Sequence, residues 1–297
     1  MTGDGRGSSL PPWQLLATDL DGTLLRRDGS VGAAVREALL KRQKDDRPTL
    51  FVTGRPPRWL PSVAEATGIG PTTICANGAV VLDLSRRTIT EVTAIPDDMV
   101  ATVAEIVRDE LGVDTALAWE LARPGPLTAS GFRMEHGFAP ESAQRPVGRP
   151  EPGEVVKILA RGQGEYRGDH RVQNTDFHKE VQDTIGALTE RLSGLATVSH
   201  SSRTHLLAEI GPPGVTKATT LARAVVALGL TAGDVLAVGD MPNDIPMLEW
   251  AGTAAVVDSA HPSVLAHADI VIPDPEHDGV ARLLAGEFSP TASPGSG

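Results

Sequence analysis

The chain has 297 residues, a formal net charge of -11 and an aromatic content of only 3%. A uniformly acidic surface repels nucleic acid and so few rings leave little for bases to stack on, so DNA and RNA are not expected partners. An anionic substrate would be repelled at long range as well, so a phosphate site here needs concentrated positive charge or a metal.

With 40% apolar and 22% charged residues the composition is that of an ordinary globular protein, and the length suits about two domains. Cys75 is the single cysteine, so no disulfide can form within the chain, which points to a reducing, cytoplasmic setting. Met1 to Pro12 is Gly/Ser-rich without an apolar run and does not resemble a signal peptide. No stretch approaches the roughly 20 apolar residues that span a bilayer, so no membrane association is expected. Ser289 to Gly297 consists of small and turn-forming residues and is expected to be a loose tail.

In chain order, Trp13 to Thr18 is a short apolar run that predicts a buried strand, ending in Asp19-Leu20-Asp21-Gly22-Thr23. Val31 to Arg42 has apolar residues at helical spacing. Thr49 to Val52 predicts a second strand, stopped by Thr53-Gly54-Arg55-Pro56. A helix follows over Arg58 to Ala66, then a strand over Thr72 to Ala76 that ends at Asn77-Gly78. Short strands alternating with helices are the mark of a parallel sheet covered by helices.

The middle of the chain breaks that rhythm. A helix is predicted over Asp97 to Leu111, strands near Thr115 to Trp119, Gly131 to Glu135 and Val155 to Ala160, a helix over Phe177 to Leu192, and strands over Ala196 to His200 and His205 to Ile210. This is an α+β pattern, interrupted by a Pro/Gly-rich stretch from Phe138 to Glu154 that predicts a surface loop. The alternation returns after Gly211. Helices are predicted over Val215 to Leu228, Asn243 to Trp250, Pro262 to Ala266 and Gly279 to Leu284, with strands over Val235 to Val238, Ala254 to Val257 and Ile270 to Ile272. The expected organisation is an α/β core with a Rossmann-like parallel sheet, made of residues 1–82 and 211–297, into which an α+β module of residues 83–210 is inserted.

Chemistry-bearing residues gather just after the predicted strands, and in open parallel sheets the loops at the carboxyl ends of strands converge on one crevice. Asp19 and Asp21 flank one apolar residue where Gly22 permits a sharp turn, a spacing that suits one attacking carboxylate and one that handles protons. A solvated turn would have the same composition. Thr53-Gly54-Arg55 offers a hydroxyl and backbone N–H groups to phosphate oxygens, or simply caps the next helix. Lys217 follows Gly211-Pro212-Pro213-Gly214 and can grip phosphate or neutralise acids, though most lysines sit in solvent. Asp240 and Asp244 in Gly239-Asp240-Met241-Pro242-Asn243-Asp244 add hard oxygen ligands of the kind Mg²⁺ takes. A helix cap alone needs only one such side chain. Cys75 falls inside a strand, where a buried apolar role outweighs that of a nucleophile, and the eight histidines show no metal-ligand spacing.

Taken in order, Asp19-x-Asp21-Gly-Thr, Thr53-Gly-Arg55, Lys217 and Gly239-Asp240-x-x-Asn243-Asp244 resemble the four motifs of the haloacid dehalogenase superfamily of phosphatases. Asn77-Gly78-Ala79, Gly214-Val-Thr-Lys217 and Asp278-Gly279-Val280-Ala281 are similar to the Cof-type (IIB) subfamily. The resemblance covers both ends of the chain by motif and the middle by pattern only.

It implies a phosphatase acting on a small phosphorylated metabolite, a sugar phosphate or related phosphomonoester, with Mg²⁺ as cofactor. By similarity Asp19 is the nucleophile that forms an aspartyl-phosphate, and Asp21 the acid and base, which calls for an Asp21 pKa above that of Asp19. Mg²⁺ is held by Asp19, the backbone carbonyl of Asp21 and Asp240, with Asp244 nearby. Thr53, Gly54, Arg55, Asn77, Lys217 and Asn243 form the substrate-binding set. The insertion becomes a cap that closes over the crevice, with Arg133, Glu135, His136, His200 and Arg203 as polar candidates to touch substrate, although surface roles suit them too.

Two departures stand out. Ser259 in Val257-Asp258-Ser259-Ala260 replaces the usual asparagine of Gly-Asn-Ala, and the cap is short by one or two elements, with the Pro-rich stretch in their place. A phosphomutase of the same superfamily, or a non-catalytic binding protein on this fold, is the competing expectation. A monomer or small homo-oligomer is expected.

Overall fold

The computed structural model describes residues 13–138, 150, 152–165, 175–202 and 205–288. The segment Met1 to Pro12, the tail Ser289 to Gly297, most of the Pro-rich loop and Arg203 lie outside the described residues.

The elements run β1 (Leu15–Thr18), α1 (Ala33–Lys44), β2 (Thr49–Val52), α2 (Leu60–Thr67), β3 (Thr72–Cys75), β4 (Val80–Asp83), β5 (Thr88–Val92), α3 (Asp97–Leu111), β6 (Leu117–Leu121), β7 (Gly125–Pro126) and β8 (Gly131–Met134). They continue with β9 (Val155–Glu165), α4 (Thr175–Arg191), β10 (Thr197–His200), β11 (His205–Gly211), α5 (Lys217–Ala227), β12 (Val235–Gly239), α6 (Ile245–Trp250), β13 (Thr253–Val257), α7 (Pro262–Leu265), β14 (Ile270–Ile272) and α8 (Gly279–Leu284).

The larger sheet has the order β14-β13-β12-β1-β2-β3-β4-β5-β7. From β14 to β3 every pairing is parallel, and β4, β5 and β7 add antiparallel strands at one edge. β1, β2 and β12 are buried along their whole length. Strands covered on both faces need continuous apolar runs rather than alternation, which is why Leu15-Leu16-Ala17 and Val235-Leu236-Ala237-Val238 have that composition. Each fully buried leucine, valine or isoleucine contributes about 1.5–3 kcal/mol.

Chain direction places the site. The chain winds from β1 outward through β2 and β3 to the antiparallel edge strands, and after the middle of the chain returns as β12 on the other side of β1. The strand order therefore reverses at β1, and the loops after β1 and β12 face each other across the crevice where ligands bind in such sheets.

The hairpin of β4 and β5 was not anticipated by the strand pattern, and both β5 and β7 pair onto the larger sheet beyond the expected boundary at residue 83. The strand expected at Thr115 to Trp119 lies two residues later, at Leu117–Leu121.

Residues from the middle of the chain build a second, antiparallel sheet of order β10-β11-β9-β6-β8. One face packs under α3 and α4 through Val103, Val107, Leu117, Ile158, Leu188 and Ile210. The opposite face carries Ala118, Phe132, Met134, Leu159 and Leu207 together with Glu120, Lys157 and Glu209, and its polar residues reach the core. Among the described residues no helix is long and apolar enough to cross a membrane.

Candidate active site

Asp19 directly follows β1 and is 5% exposed. Its Oδ1 accepts from Lys217 Nζ at 2.6 Å, and the same ammonium donates to Asp244 Oδ1 at 2.5 Å. Lys217 reaches this position as the first residue of α5. Thr216 caps the helix, its Oγ1 accepting from the Thr219 N–H while Thr219 Oγ1 accepts from the Thr216 N–H. That reciprocal cap fixes where the helix starts, two residues later than the apolar pattern predicts.

Asp240 follows β12 and accepts from Thr23 Oγ1 at 3.2 Å. Asp244 sits in the short turn before α6, its Oδ2 accepting from the backbone N–H groups of Asp240 and Met241 at 3.0 Å each. Both Asp244 oxygens are thus engaged within the protein. Carboxylate oxygens of Asp19, Asp240 and Asp244 all lie within 4.8 Å of one another, and all three residues are buried. Gly22, at φ +78°, makes this approach possible, because a Cβ there would stand 2.5 Å from Asp240 Oδ2.

The electrostatics follow from that crowding. Burial raises the Asp19 pKa well above the usual carboxylate value; Lys217 opposes the shift, and the charges of Asp244, Asp240 and Asp21 add to it. Burial alone would depress Lys217, but Asp19 and Asp244 more than reverse this and hold it raised. Several carboxylates around one ammonium form an oxygen-rich, negatively charged donor set, and that chemistry fits a hard divalent cation.

Asp21 differs from Asp19 in exposure and in partner. Its side chain is 59% exposed, and both its oxygens accept from Arg55, Nε at 2.7 Å and Nη2 at 2.5 Å. Arg55, expected among the substrate contacts, is here the partner of Asp21. Thr53 is buried at the end of β2 with its Oγ1 accepting from the Arg55 N–H. The next loop is tied to it: Ala76 N–H donates to Arg55 O, and Asn77 N–H to Thr53 O. Ala76 and Asn77 hold left-handed backbone angles, φ 51° and 57°, a conformation that needs enforcement by its surroundings. Gly78 supplies part of that, since a Cβ there would meet Thr216 O at 2.3 Å.

Asn243 Nδ2 donates to Asn77 Oδ1 at 3.1 Å, while Asn243 Oδ1 is buried without a hydrogen-bond partner. An orphaned buried acceptor of this kind calls for a donor from a ligand or water. Beside it lies a cavity of about 180 Å³ between core and cap, bordered by Asn77, Lys217 and Asn243 on one side and by Lys157, Val198 and His200 on the other.

Of the cap residues singled out from sequence, His200 borders this cavity, its Nδ1 hydrogen-bonded to Leu207 O at 3.0 Å. Arg133 and His136 are exposed, and Glu135 is spent on Arg108 and the Leu117 N–H. Arg133 is the register partner of Trp119, which puts it on the helix-covered face of the cap sheet, away from the crevice. Ser259 is exposed in the turn after β13. Asp278 serves the frame, pairing with Arg26 at 3.0 Å. Cys75 is buried, and burial pushes its thiol pKa up, as suits an inert packing residue.

Sequence reasoning passed over Lys157, Glu209, Arg58 and Glu120. Lys157 Nζ donates to Gly54 O at 2.7 Å and to Glu209 Oε2 at 3.0 Å, and Glu209 Oε2 also accepts from Asn77 Nδ2 at 2.6 Å. Arg58 bonds Glu120, and its guanidinium lies over the rings of Trp59 and Phe132, 4.9 and 4.8 Å from their centroids.

A Rossmann-like sheet with carboxylates at its switch point, an ammonium among them and an inserted sheet above defines a capped α/β protein with a buried acidic site. The family model of the haloacid dehalogenase-like hydrolases matches residues 16–121 and 168–284, and the chain belongs to that family. It is 26% identical to the pyridoxal phosphate phosphatase of Escherichia coli, over 91% of this chain and 97% of that protein. It is equally 26% identical to the 5-amino-6-(5-phospho-D-ribitylamino)uracil phosphatase of Bacillus subtilis, over 91% of this chain and 94% of that one. A phosphatase of the same superfamily from Bacteroides thetaiotaomicron shares the fold, with a TM-score of 0.71 at 23% identity, over 96% of this chain and 98% of that one.

Proposed function

We propose that the protein is a magnesium-dependent phosphatase that hydrolyses a small phosphomonoester through a phosphorylated Asp19. The observation that carries this reading is the buried triad of Asp19, Asp240 and Asp244 with Lys217 Nζ 2.6 Å from Asp19 Oδ1. The names of the two curated relatives, both phosphatases of small phosphorylated metabolites, support it.

On this reading an Asp19 carboxylate oxygen attacks phosphorus, and the bond from phosphorus to the leaving oxygen breaks. Asp21 gives that oxygen a proton, after exchanging one of its contacts with Arg55 for the substrate. Asp21 then takes a proton from a water that attacks the phosphorus of phospho-Asp19, which releases phosphate and returns the carboxylate. Lys217 and the Thr53-Gly54 loop hold the phosphoryl oxygens, and Asn77 and Asn243 border the space for the rest of the substrate. Asp19, Asp240 and the Asp21 carbonyl would hold Mg²⁺, with Asp244, whose oxygens are both occupied, orienting Lys217 and the loop after β12. The bound ion would offset negative charge on the carboxylates and the phosphoryl group. The second sheet with α3 and α4, from within residues 83–210, acts as the cap over a core formed by 1–82 and 211–297 together with β5 and β7, shutting water out of the first step.

Phosphate release from a panel of small phosphomonoesters, with and without magnesium, tests this directly. Release that requires magnesium and disappears in Asp19→Asn is expected. Release that persists in Asp19→Asn would overturn the covalent route.

A further inference from the structure

The core and cap are joined by a buried polar network in which two cap residues from outside the strand-end motifs, Lys157 and Glu209, meet Gly54 and Asn77 from within them. Lys157 and Glu209 are 3% and 6% exposed. They stand on neighbouring cap strands, β9 and β11, and both face the core. Such a pair is costly to desolvate, and replacement by apolar residues is often neutral or stabilising, so stability alone does not account for it.

What the pair touches gives it a use. Lys157 Nζ donates to the carbonyl of Gly54, the central residue of the Thr53-Gly54-Arg55 loop, at 2.7 Å. Gly54 itself is hemmed in by this network, since a Cβ there would lie 3.0 Å from Asn77 Oδ1 and 3.5 Å from Glu209 Oε2. Glu209 Oε1 accepts from Ser201 Oγ at 2.8 Å, and Oε2 from Lys157 and from Asn77 Nδ2. An ionised carboxylate can only accept, so Asn77 must turn its amide nitrogen to Glu209 and its oxygen to Asn243 Nδ2. The carboxylate thereby sets the sense of both amides and leaves Asn243 Oδ1 as the acceptor beside the cavity. Burial favours a neutral Glu209, yet Lys157, Asn77 and Ser201 outweigh it and keep the pKa low, which preserves this polarity.

We propose that Lys157 and Glu209 are positioning residues: with the cap seated, they fix the Gly54 carbonyl and the Asn77–Asn243 amide pair, so that cap closure completes the phosphoryl cradle. This rests on the phosphatase reading of the same site. The bonds from Lys157 to the Gly54 carbonyl and from Asn77 to Glu209 cross from cap strands to core loops, so an open cap removes both, and with them the cap's hold on Gly54 and on the sense of the amide pair.

The test compares wild type, Lys157→Met and the double variant Lys157→Met/Glu209→Gln. Lys157→Met leaves a buried carboxylate without its ammonium and is expected to lower the melting temperature. The double variant removes both charges and is expected to regain it. Positioning predicts that kcat/KM on the best phosphomonoester of the panel stays down about 100-fold in the folded double variant. It also predicts weaker binding of inorganic phosphate with magnesium, read by calorimetry. Recovery of kcat/KM together with the melting temperature would assign the pair a structural role and overturn the proposal. If wild type turned over no phosphomonoester, the phosphatase reading would fall, and the calorimetry would still decide. Weakened phosphate binding in the double variant upholds the cradle, and unchanged binding overturns it.

Discussion

Asp19 and Lys217 stand 198 positions apart in the chain and meet at 2.6 Å in the buried centre of the molecule. One comes from the loop after β1 and the other from the first turn of α5, so the contact forms only when both ends of the chain have built one sheet. The charges depend on each other. Lys217, 1% exposed, is tolerated because two carboxylates surround it, and Asp19 is kept from a still higher pKa by that ammonium.

Replacing Lys217 therefore tests the frame as well as the chemistry. Lys217→Met leaves Asp19 and Asp244 facing each other without a cation, and breaking a buried ion pair costs about 3–5 kcal/mol. Urea denaturation is expected to show that loss, and magnesium is expected to restore part of it. A midpoint equal to that of wild type would refute the coupling.

Asp19→Asn is nearly isosteric and should leave the fold intact. Loss of the attacking oxygen is expected to lower kcat by at least about 1,000-fold, measured as phosphate release beside an unchanged circular dichroism spectrum. Activity within tenfold of wild type, roughly 1.4 kcal/mol, would exclude Asp19 as nucleophile.

Asp240 is held by Thr23 and faces the close approach of Gly22. Asp240→Asn is expected to shift the magnesium titration of activity by at least about tenfold. Magnesium should also raise the melting temperature of wild type but not of this variant, because a ligand stabilises only the state it binds. Equal thermal shifts in both proteins would remove Asp240 from the ligand set.

Glu120 supplies a pH dependence away from the carboxylate triad. Burial pushes its carboxyl from 4.5 up to about 7, against the pull of Arg58 and Lys157. A carboxyl raised in the folded state adds stability that is fully present below pH about 4.5 and is lost as pH climbs through about 7. The interval from 4.5 to about 7 corresponds to about 3 kcal/mol. Glu120→Gln keeps an acceptor for Arg58 and removes the titration, so between pH 5 and pH 8 the variant should gain on wild type most of that amount. A difference independent of pH, in denaturation at both values, would sink this.

The strand-end loops were legible in the sequence because each packs its chemistry into a few consecutive residues behind an apolar run. Asp19-Leu20-Asp21-Gly22 and Gly239-Asp240-Met241-Pro242-Asn243-Asp244 carry both the turn former and the functional groups. The parallel strands were legible for a related reason, since a strand buried on both faces is apolar throughout. The cap contacts were not. Lys157 and Glu209 sit in strands where one polar residue among apolar neighbours has the pattern of an exposed face. Arg133, which has that same pattern, lies on the helix-covered face of the cap sheet, away from the crevice.

Local composition thus established the α/β frame, the carboxylates and the lysine, because turn chemistry and strand burial act over a handful of neighbours. The pairing of Arg55 with Asp21, the saturation of Asp244 and the bridge from Lys157 to Gly54 were decided only by the folded chain. The bridge joins residues 103 positions apart and the Arg55–Asp21 pair residues 34 apart, and no periodicity records which face of one sheet will be covered by another.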